Sequence, residues 1–265
     1  MLAAEIRTEI KDQVAHLKNK PRLAVILVGN DPASHLYVSL KQEACEETGI
    51  GFEKLLYPAE VPTAALIDRI QELNARREIT GILVQLPLPQ QDADKIVAAI
   101  DPKKDADGFH PENLRLLREG RPGIISAAAL GIRRLIEEAK IDLNGKQAVL
   151  VCRPRFAEPI SRLLQDKNLH VQVVAPEAPD LARQTAAADV LIVAAGKAHF
   201  IKANMVKPGA IVIDVGTNKK SGRTVGDVAP EVKKTAGFMT PVPGGVGPMT
   251  VAMLLQNIVT AAQTR

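Results

Sequence analysis

RLAVILVGNDPASHLYVSLKQEACEETG, residues 22–49, carries the reading on which the fold turns. Its first eight residues are an apolar run closed by glycine, the length of a strand buried on both faces. GNDP reads as a turn, and residues 33–49 space their apolar side chains at helical intervals, with Gly49 suited to end the helix. Outward from this unit the alternation continues. FEKLLYP (52–58) reads as a strand, Thr63 to Arg77 as a helix, and ITGILVQLPLP (79–89) as a strand running into a proline-rich loop. Strand, helix, strand, helix implies parallel strands joined by crossover helices. Upstream, the charged opening MLAAEIRTEIKDQVAHLKNK (1–20) reads as a helix.

From Lys103 to Gly123 the chain turns polar and reads as loop, and a helix is expected over about 127–139. A second α/β series then begins: QAVLVC (147–152), a helix after Pro159, HVQVV (170–174), a helix through about Ala187, DVLIVAAG (189–196) and AIVIDVG (210–216). This series resembles a nucleotide-binding half-fold. The tail, TPVPGGVGPMTVAMLLQNIVTAAQTR (240–265), holds a glycine-rich loop and an apolar final helix. The expected architecture is two α/β lobes with a cleft between them, the last helix returning to the first lobe.

Composition narrows the function classes. The 265 residues are 46% hydrophobic and 24% charged, ordinary for a globular chain, and the net charge of +4 is a thin field. It suits anionic small molecules, and with no Trp, two Tyr and five Phe there is little surface on which to stack bases, so no nucleic-acid partner is expected. The absence of a long apolar run argues against a membrane partner, and the charged start against a signal peptide. Cys45 and Cys152 make no disulfide framework and read as buried thiols in a reducing compartment, so a cytoplasmic location is expected.

Several residues are candidates for chemistry. Tyr37 and Lys41 lie four apart on a helix just beyond a strand's carboxyl end, where open α/β sheets place ligands. A lysine in a partly apolar cleft can lose its charge and carry protons, although the pair reads equally as a solvated lysine beside a half-buried tyrosine. Gln85 is the first polar residue after the apolar run GILV, and its amide can hold an amine or a heterocycle edge, or simply end the strand. KKDADGFHP (103–111) sets Asp105 and Asp107 in one loop, where a carboxylate can read adjacent N–H groups. The loop lacks the rest of a calcium pattern, and the five His, at 16, 35, 110, 170 and 199, lack zinc spacing, so no metal is expected. PVPGGVGPMT (241–250) lets backbone approach a ligand just before a helix N-terminus, without the Gly-Lys-Ser/Thr of a P-loop.

Together these segments resemble the FolD family of bifunctional methylenetetrahydrofolate dehydrogenase/methenyltetrahydrofolate cyclohydrolases. The matching stretches are VGNDPASHLYVSLKQEACEETGI, GILVQLPLP, KKDADGFHPENL, DVLIVAAGKAHFIKANMVKPGAIVIDVGTN and PVPGGVGPMTVAMLL, in the family's order across nearly the whole chain. The resemblance implies a folate-binding catalytic domain over 1–122 and 241–265 and a Rossmann-like dinucleotide-binding domain over 123–240. It implies that Lys41 is the lysine serving proton transfer in both reactions, Gln85 the glutamine that tunes it, Asp107 the aspartate gripping the pterin edge, and Tyr37 the tyrosine packed on the folate. Pro243, Gly244, Gly245 and Pro248 match the segment flanking the folate. The implied partners are tetrahydrofolate derivatives, NADP and a second copy of the chain in a homodimer.

The departures from the family pattern gather on the cofactor side. The family's phosphate turn reads Gly-Arg-Ser, then Val-Gly-Arg-Pro a few residues on, whereas here CRPRFAEP (152–159) is one residue shorter and has no glycine. Cysteine adds a side chain where close approach is needed, Pro154 has neither N–H nor hydroxyl, and Glu158 sits near the helix start, where it repels phosphate. Arg153 and Arg155 work the other way, as phosphate partners. Ser126-Ala127-Ala128-Ala129 stands in place of Pro-Cys-Thr-Pro, and APEAP after HVQVV offers Glu177 where NADP users carry polar or basic residues. The start is also short of the family's first strand, and Leu114 follows Asn113 where the family has glycine. The dinucleotide site, assigned to Cys152, Arg153, Pro154, Arg155 and Thr217, is therefore expected to bind NADP weakly, to have lost it, or to take NAD instead. An alternative is a catalytically silent relative that binds folate or a partner subunit.

Overall fold

The computed structural model describes residues 2–264. Helix α1 (Leu2–His16) buries Ile6, Ile10 and Val14, one residue per turn on one stripe. Strand β1 (Arg22–Val28) follows, buried at every residue after the first. Helix α2 (Pro32–Thr48) is closed at both ends. Asp31 Oδ2 accepts from Ser34 N and Ser34 Oγ, both at 2.8 Å, and Pro32 supplies the fixed φ of a first helical residue. At the other end Gly49 takes left-handed backbone (φ 77°), and Ile50 N returns to Cys45 O at 2.9 Å, so the glycine ends the helix as its position suggested.

Strand β2 (Gly51–Tyr57), helix α3 (Thr63–Ala75) and strand β3 (Gly81–Val84) complete a parallel sheet in the order β2-β1-β3. Helix α4 (Ala93–Ala98) precedes the loop around residue 103, and helix α5 (Pro111–Arg118) lies inside the stretch expected to be loop. That expectation is corrected. Pro111 at the first position and His110, whose Nδ1 accepts from Glu112 N at 3.0 Å, start a helix that its charged sequence concealed.

Helix α6 (Ala127–Glu138) leads to strand β4 (Gln147–Val151). Helix α7 (Pro154–Gln165) begins well before Pro159, which was expected to precede it; Pro154 suits the first position, and Pro159 a turn later removes one backbone donor. Strand β5 (His170–Val174), the short helix α8 (Leu181–Thr185), strands β6 (Val190–Val193) and β7 (Ile211–Asp214), the hairpin of β8 (Asn218–Lys220) and β9 (Arg223–Val225), and strand β10 (Phe238–Met239) follow. The five-stranded parallel sheet runs β10-β7-β6-β4-β5. Helix α9 (Val246–Gln263) ends the described chain.

Two compact units result, one of residues up to Ala127 together with Val251 onward, the other Ala128–Thr250. In the first, Ala24, Ile26 and Val28 of β1 and Ile82 and Val84 of β3 pack on Leu66, Ile70 and Leu73 of α3. Its α9 segment lies close over β3, since a Cβ on Gly81 would stand 3.0 Å from Ile258. In the second, Val149, Val151, Leu191, Val193 and Val212 form the centre of the core. No described helix is long and apolar enough to cross a membrane.

Lys104 is a structural element of the first unit. It is 4% exposed, and its Nζ donates to the carbonyls of Leu73 (3.0 Å), Asn74 (2.7 Å) and Arg76 (2.8 Å), closing the carboxyl end of α3. Lys104→Met keeps the stem and strips these acceptors of their donor. A loss of about 2–3 kcal/mol is expected in urea unfolding, and an unchanged midpoint would show that water serves these carbonyls equally well.

Candidate functional site

The winding of the first sheet changes sides at β1, with β2 on one side and β3 on the other, and such a switch point opens a crevice beyond the strands' carboxyl ends. Lys41, on the helix after β1, and Gln85, directly after β3, meet there. Lys41 Nζ donates to Gln85 Oε1 at 2.6 Å, while Gln85 Nε2 donates to Leu86 O at 2.7 Å, which turns the amide oxygen toward the lysine. Tyr37 lies one turn before Lys41 on the same face of α2, half-buried.

Asp107 arrives by a different route. Ile82 N donates to Lys104 O (2.7 Å) and Ala106 N to Ile82 O (3.2 Å), so the segment 104–106 runs parallel along the free edge of β3. This edge pairing carries Asp107 toward the end of β3, where its charge acts on Lys41. Loss of water holds the Lys41 ammonium below the ordinary lysine range, against the opposing pull of Asp107. Burial pushes the Asp107 carboxyl up to about 6, with Lys41 acting downward and Asp105 upward. A lysine biased toward its neutral form beside a carboxyl that titrates near neutrality is suited to moving protons.

Other side chains hold this arrangement. Asp105, 2% exposed, accepts from Gly108 N (3.1 Å), His110 N (2.7 Å) and Asn113 Nδ2 (3.1 Å), and so serves its own loop. Gly108 has φ 77°, and a Cβ there would stand 2.5 Å from the Ile125 carbonyl carbon, so the position admits no side chain. Asn257 of α9 donates to Ala106 O (3.1 Å) and Ile125 O (2.9 Å), tying the returning helix to the residue before Asp107. Asn113 and Asn257 were not singled out from the sequence, because nothing local distinguishes them. Cys45, a turn after Lys41, is a buried thiol pushed up to about 12 and is chemically quiet.

The second sheet has its own switch point at β4, between β5 and β6. Cys152, Arg153 and Pro154 form the turn there, with Arg155 following in α7. Cys152 is 1% exposed and its thiol is pushed up to about 11 by burial, so it fills the turn and presents no ligand-binding group. Phe156 N and Ala157 N both donate to Arg153 O at 3.1 Å. Beyond β6, Ala195 N, Gly196 N and Lys197 N donate to the Asp227 carboxylate at 2.6, 2.9 and 2.9 Å. Thr217 is exposed beyond the end of β7. Pro243, Gly244 and Gly245, on the loop entering α9, and Pro248, in its first turn, also fall in this unit, and a Cβ on Gly245 would stand 2.6 Å from Pro241 O. Among the described residues, no group of three or more His, Cys, Asp or Glu is arranged to hold a metal ion.

The family described as "Tetrahydrofolate dehydrogenase/cyclohydrolase, catalytic domain" matches residues 1–107, and that described as "Tetrahydrofolate dehydrogenase/cyclohydrolase, NAD(P)-binding domain" matches 126–265. A protein of Methanospirillum hungatei named "Bifunctional protein FolD" is 46% identical over 267 residues, covering 100% of this chain and 96% of that one. The crystal structure of the bifunctional FolD enzyme of Campylobacter jejuni superposes with TM-score 0.96 at 42% identity, covering 100% of this chain and 96% of that one. The Trypanosoma brucei FolD structure, complexed with NADP cofactor and inhibitor, gives TM-score 0.94 at 34% identity over 99% and 95% of the two chains.

Proposed function

The chain belongs to the FolD family of tetrahydrofolate dehydrogenase/cyclohydrolases, and on that footing we propose that it hydrolyses 5,10-methenyltetrahydrofolate and oxidises 5,10-methylenetetrahydrofolate at the Lys41 site. The observation that carries this reading is the 2.6 Å Lys41–Gln85 bond beside Asp107. In hydrolysis, water attacks the cationic methenyl carbon, and neutral Lys41 takes its proton; the ammonium returns that proton to the ring nitrogen as its bond to carbon breaks, and the remaining hydroxyl proton passes to solvent as the formyl carbonyl forms. Gln85 Oε1 aims Nζ and accepts from it in either protonation state. Ionised Asp107 grips paired N–H groups of the pterin, and Tyr37 packs on its face. When bound, the nicotinamide cofactor supplies the acceptor for the hydride that leaves the methylene carbon.

The second unit fits such a cofactor unevenly. Arg153 suits a pyrophosphate, whereas the buried Cys152 side chain, the missing N–H of Pro154 and the Phe156 amide's bond to Arg153 O reduce the backbone donors that a phosphate uses at a helix start. A weakened grip on the cofactor phosphates follows. Homodimerisation through the first unit is supported by its outer strand β2, where Leu56 is 54% exposed, and by Leu36 and Leu40 of α2 at 49% and 43%. Light scattering at micromolar concentration tests it.

The decisive assay measures methenyltetrahydrofolate hydrolysis on the purified protein, and separately NAD- and NADP-dependent oxidation of the methylene form. Hydrolysis above the spontaneous rate is expected; activity in neither assay would return the chain to a silent folate binder.

The Asp107 carboxyl gives this reading a pH signature. Folate KM is expected to rise as pH falls below about 6, and Asp107→Asn should show a raised KM without that inflection. The same group affects stability. Its folded-state value lies above the unfolded 3.8, so ionisation costs the fold stability that is lost as pH rises from about 4 through about 6. Asp107→Asn should therefore be about 1–2 kcal/mol more stable at pH 8, with the gain gone near pH 4. Identical unfolding midpoints at pH 8 would show that the ionised group is well accommodated.

A further inference from the structure

We propose that the second unit selects a nicotinamide dinucleotide lacking a 2′-phosphate, NAD rather than NADP, and that Glu177 makes the choice. The proposal rests on the dehydrogenase reading above and deepens it. Strands β5 and β6 flank β4, and the registers Val151↔Val174 and Val151↔Val193 bring the three carboxyl ends level. A dinucleotide crosses a parallel sheet of this type at that reversal, and the residue shortly after the second strand faces the ribose of its adenosine half. Here the second strand is β5 and that residue is Glu177, three positions beyond Val174.

Glu177 is exposed, and its Oε1 accepts from Lys197 Nζ at 2.9 Å. Lys197 follows β6 and Glu177 follows β5, so the ion pair spans the end of β4, where the adenosine would lie. The ammonium also stands 5.1 Å from the centre of the Phe200 ring, a cation–π distance. Arg153 acts on Glu177 electrostatically from the turn after β4.

The two cofactors meet this arrangement differently. A ribose hydroxyl donates to a carboxylate while Lys197 keeps that carboxylate oriented. A 2′-phosphate brings nearly two negative charges to the same place, next to a carboxylate that cannot donate and has already neutralised Lys197. Arg153 does not rescue it. It lies in the turn after β4, where the pyrophosphate of such a cofactor sits, so a 2′-phosphate would have to draw it away from the diphosphate.

Calorimetric titration of the full chain with NAD and with NADP, no folate present, tests the proposal. The wild type is expected to bind NAD at least about tenfold more tightly, and Glu177→Ser to erase that ratio through a gain for NADP of about tenfold or more. Glu177→Gln, which removes charge and keeps shape, should shift the ratio the same way. Equal or tighter NADP binding by the wild type, an unchanged ratio in Glu177→Ser, or binding of neither cofactor overturns the proposal. Hydrolysis of the methenyl form needs no dinucleotide, so its failure sinks the reading of the first unit, whereas hydrolysis together with an NADP preference sinks this proposal alone.

Discussion

Lys41→Met is expected to lower methenyltetrahydrofolate hydrolysis by about 10³-fold or more in kcat, the scale of losing a positioned proton carrier. Methionine nearly matches the lysine stem in length, so packing under the helix is preserved and KM should move little. The melting temperature should hold or rise, because the variant no longer keeps a charge in a place short of water. Lys41→Arg separates the two roles that one cation can play. Arginine keeps the positive charge near Asp107 but does not deprotonate at working pH, so it should be as inactive as methionine. Activity retained by arginine would mean that the site needs only a charge. Retention of more than a tenth of the wild-type rate by Lys41→Met would remove Lys41 from the chemistry.

Asp227→Ala should cost the second unit about 3–5 kcal/mol, because a buried carboxylate there organises the ends of two strands. Asp227, 0% exposed, accepts from the amides of residues 195–197 and from Asn218 Nδ2 at 2.7 Å. Asp214, 1% exposed, accepts from Gly216 N (3.0 Å), Asp227 N (2.9 Å) and Val228 N (3.0 Å), and burial raises its carboxyl above the usual range. Two acids thus tie the loop after β6 to the turn after β7. Gly226 is the permissive residue between them, since a Cβ there would stand 1.7 Å from Asp214 Oδ2. Gly226→Ala should therefore resemble Asp227→Ala, both lowering the melting temperature by about 10 °C on circular dichroism. Both should also weaken dinucleotide binding, because the loop after β6 that carries Lys197 would lose its fixed place. A shift below about 2 °C for both variants would show that the loop finds other partners for its amides.

The site was legible to unequal depth. Gln85 stood out because it directly follows a strand, and Tyr37 and Lys41 because they share one face of the helix after β1, positions read from a few neighbouring residues. Asp107 was visible as a loop carboxylate, but its approach to Lys41 depends on the pairing of 104–106 with the edge of β3. Helix α5 was hidden by its charges, and the start of α7 by a second proline that one turn of helix tolerates.

Sequence alone determined the alternating parallel architecture, because strands buried on both faces and helices with capping signals are local patterns within ten or twenty residues. It also determined that the turn after β4 has no glycine. Only the tertiary structure decided which polar groups were already taken. The amides of residues 195–197 turn inward to Asp227, Lys104 closes a helix some 30 residues earlier, and Asn257 reaches back 151 positions to Ala106. Such bonds join residues remote along the chain, and whether a donor remains for a ligand depends on where the whole fold has brought its competitors.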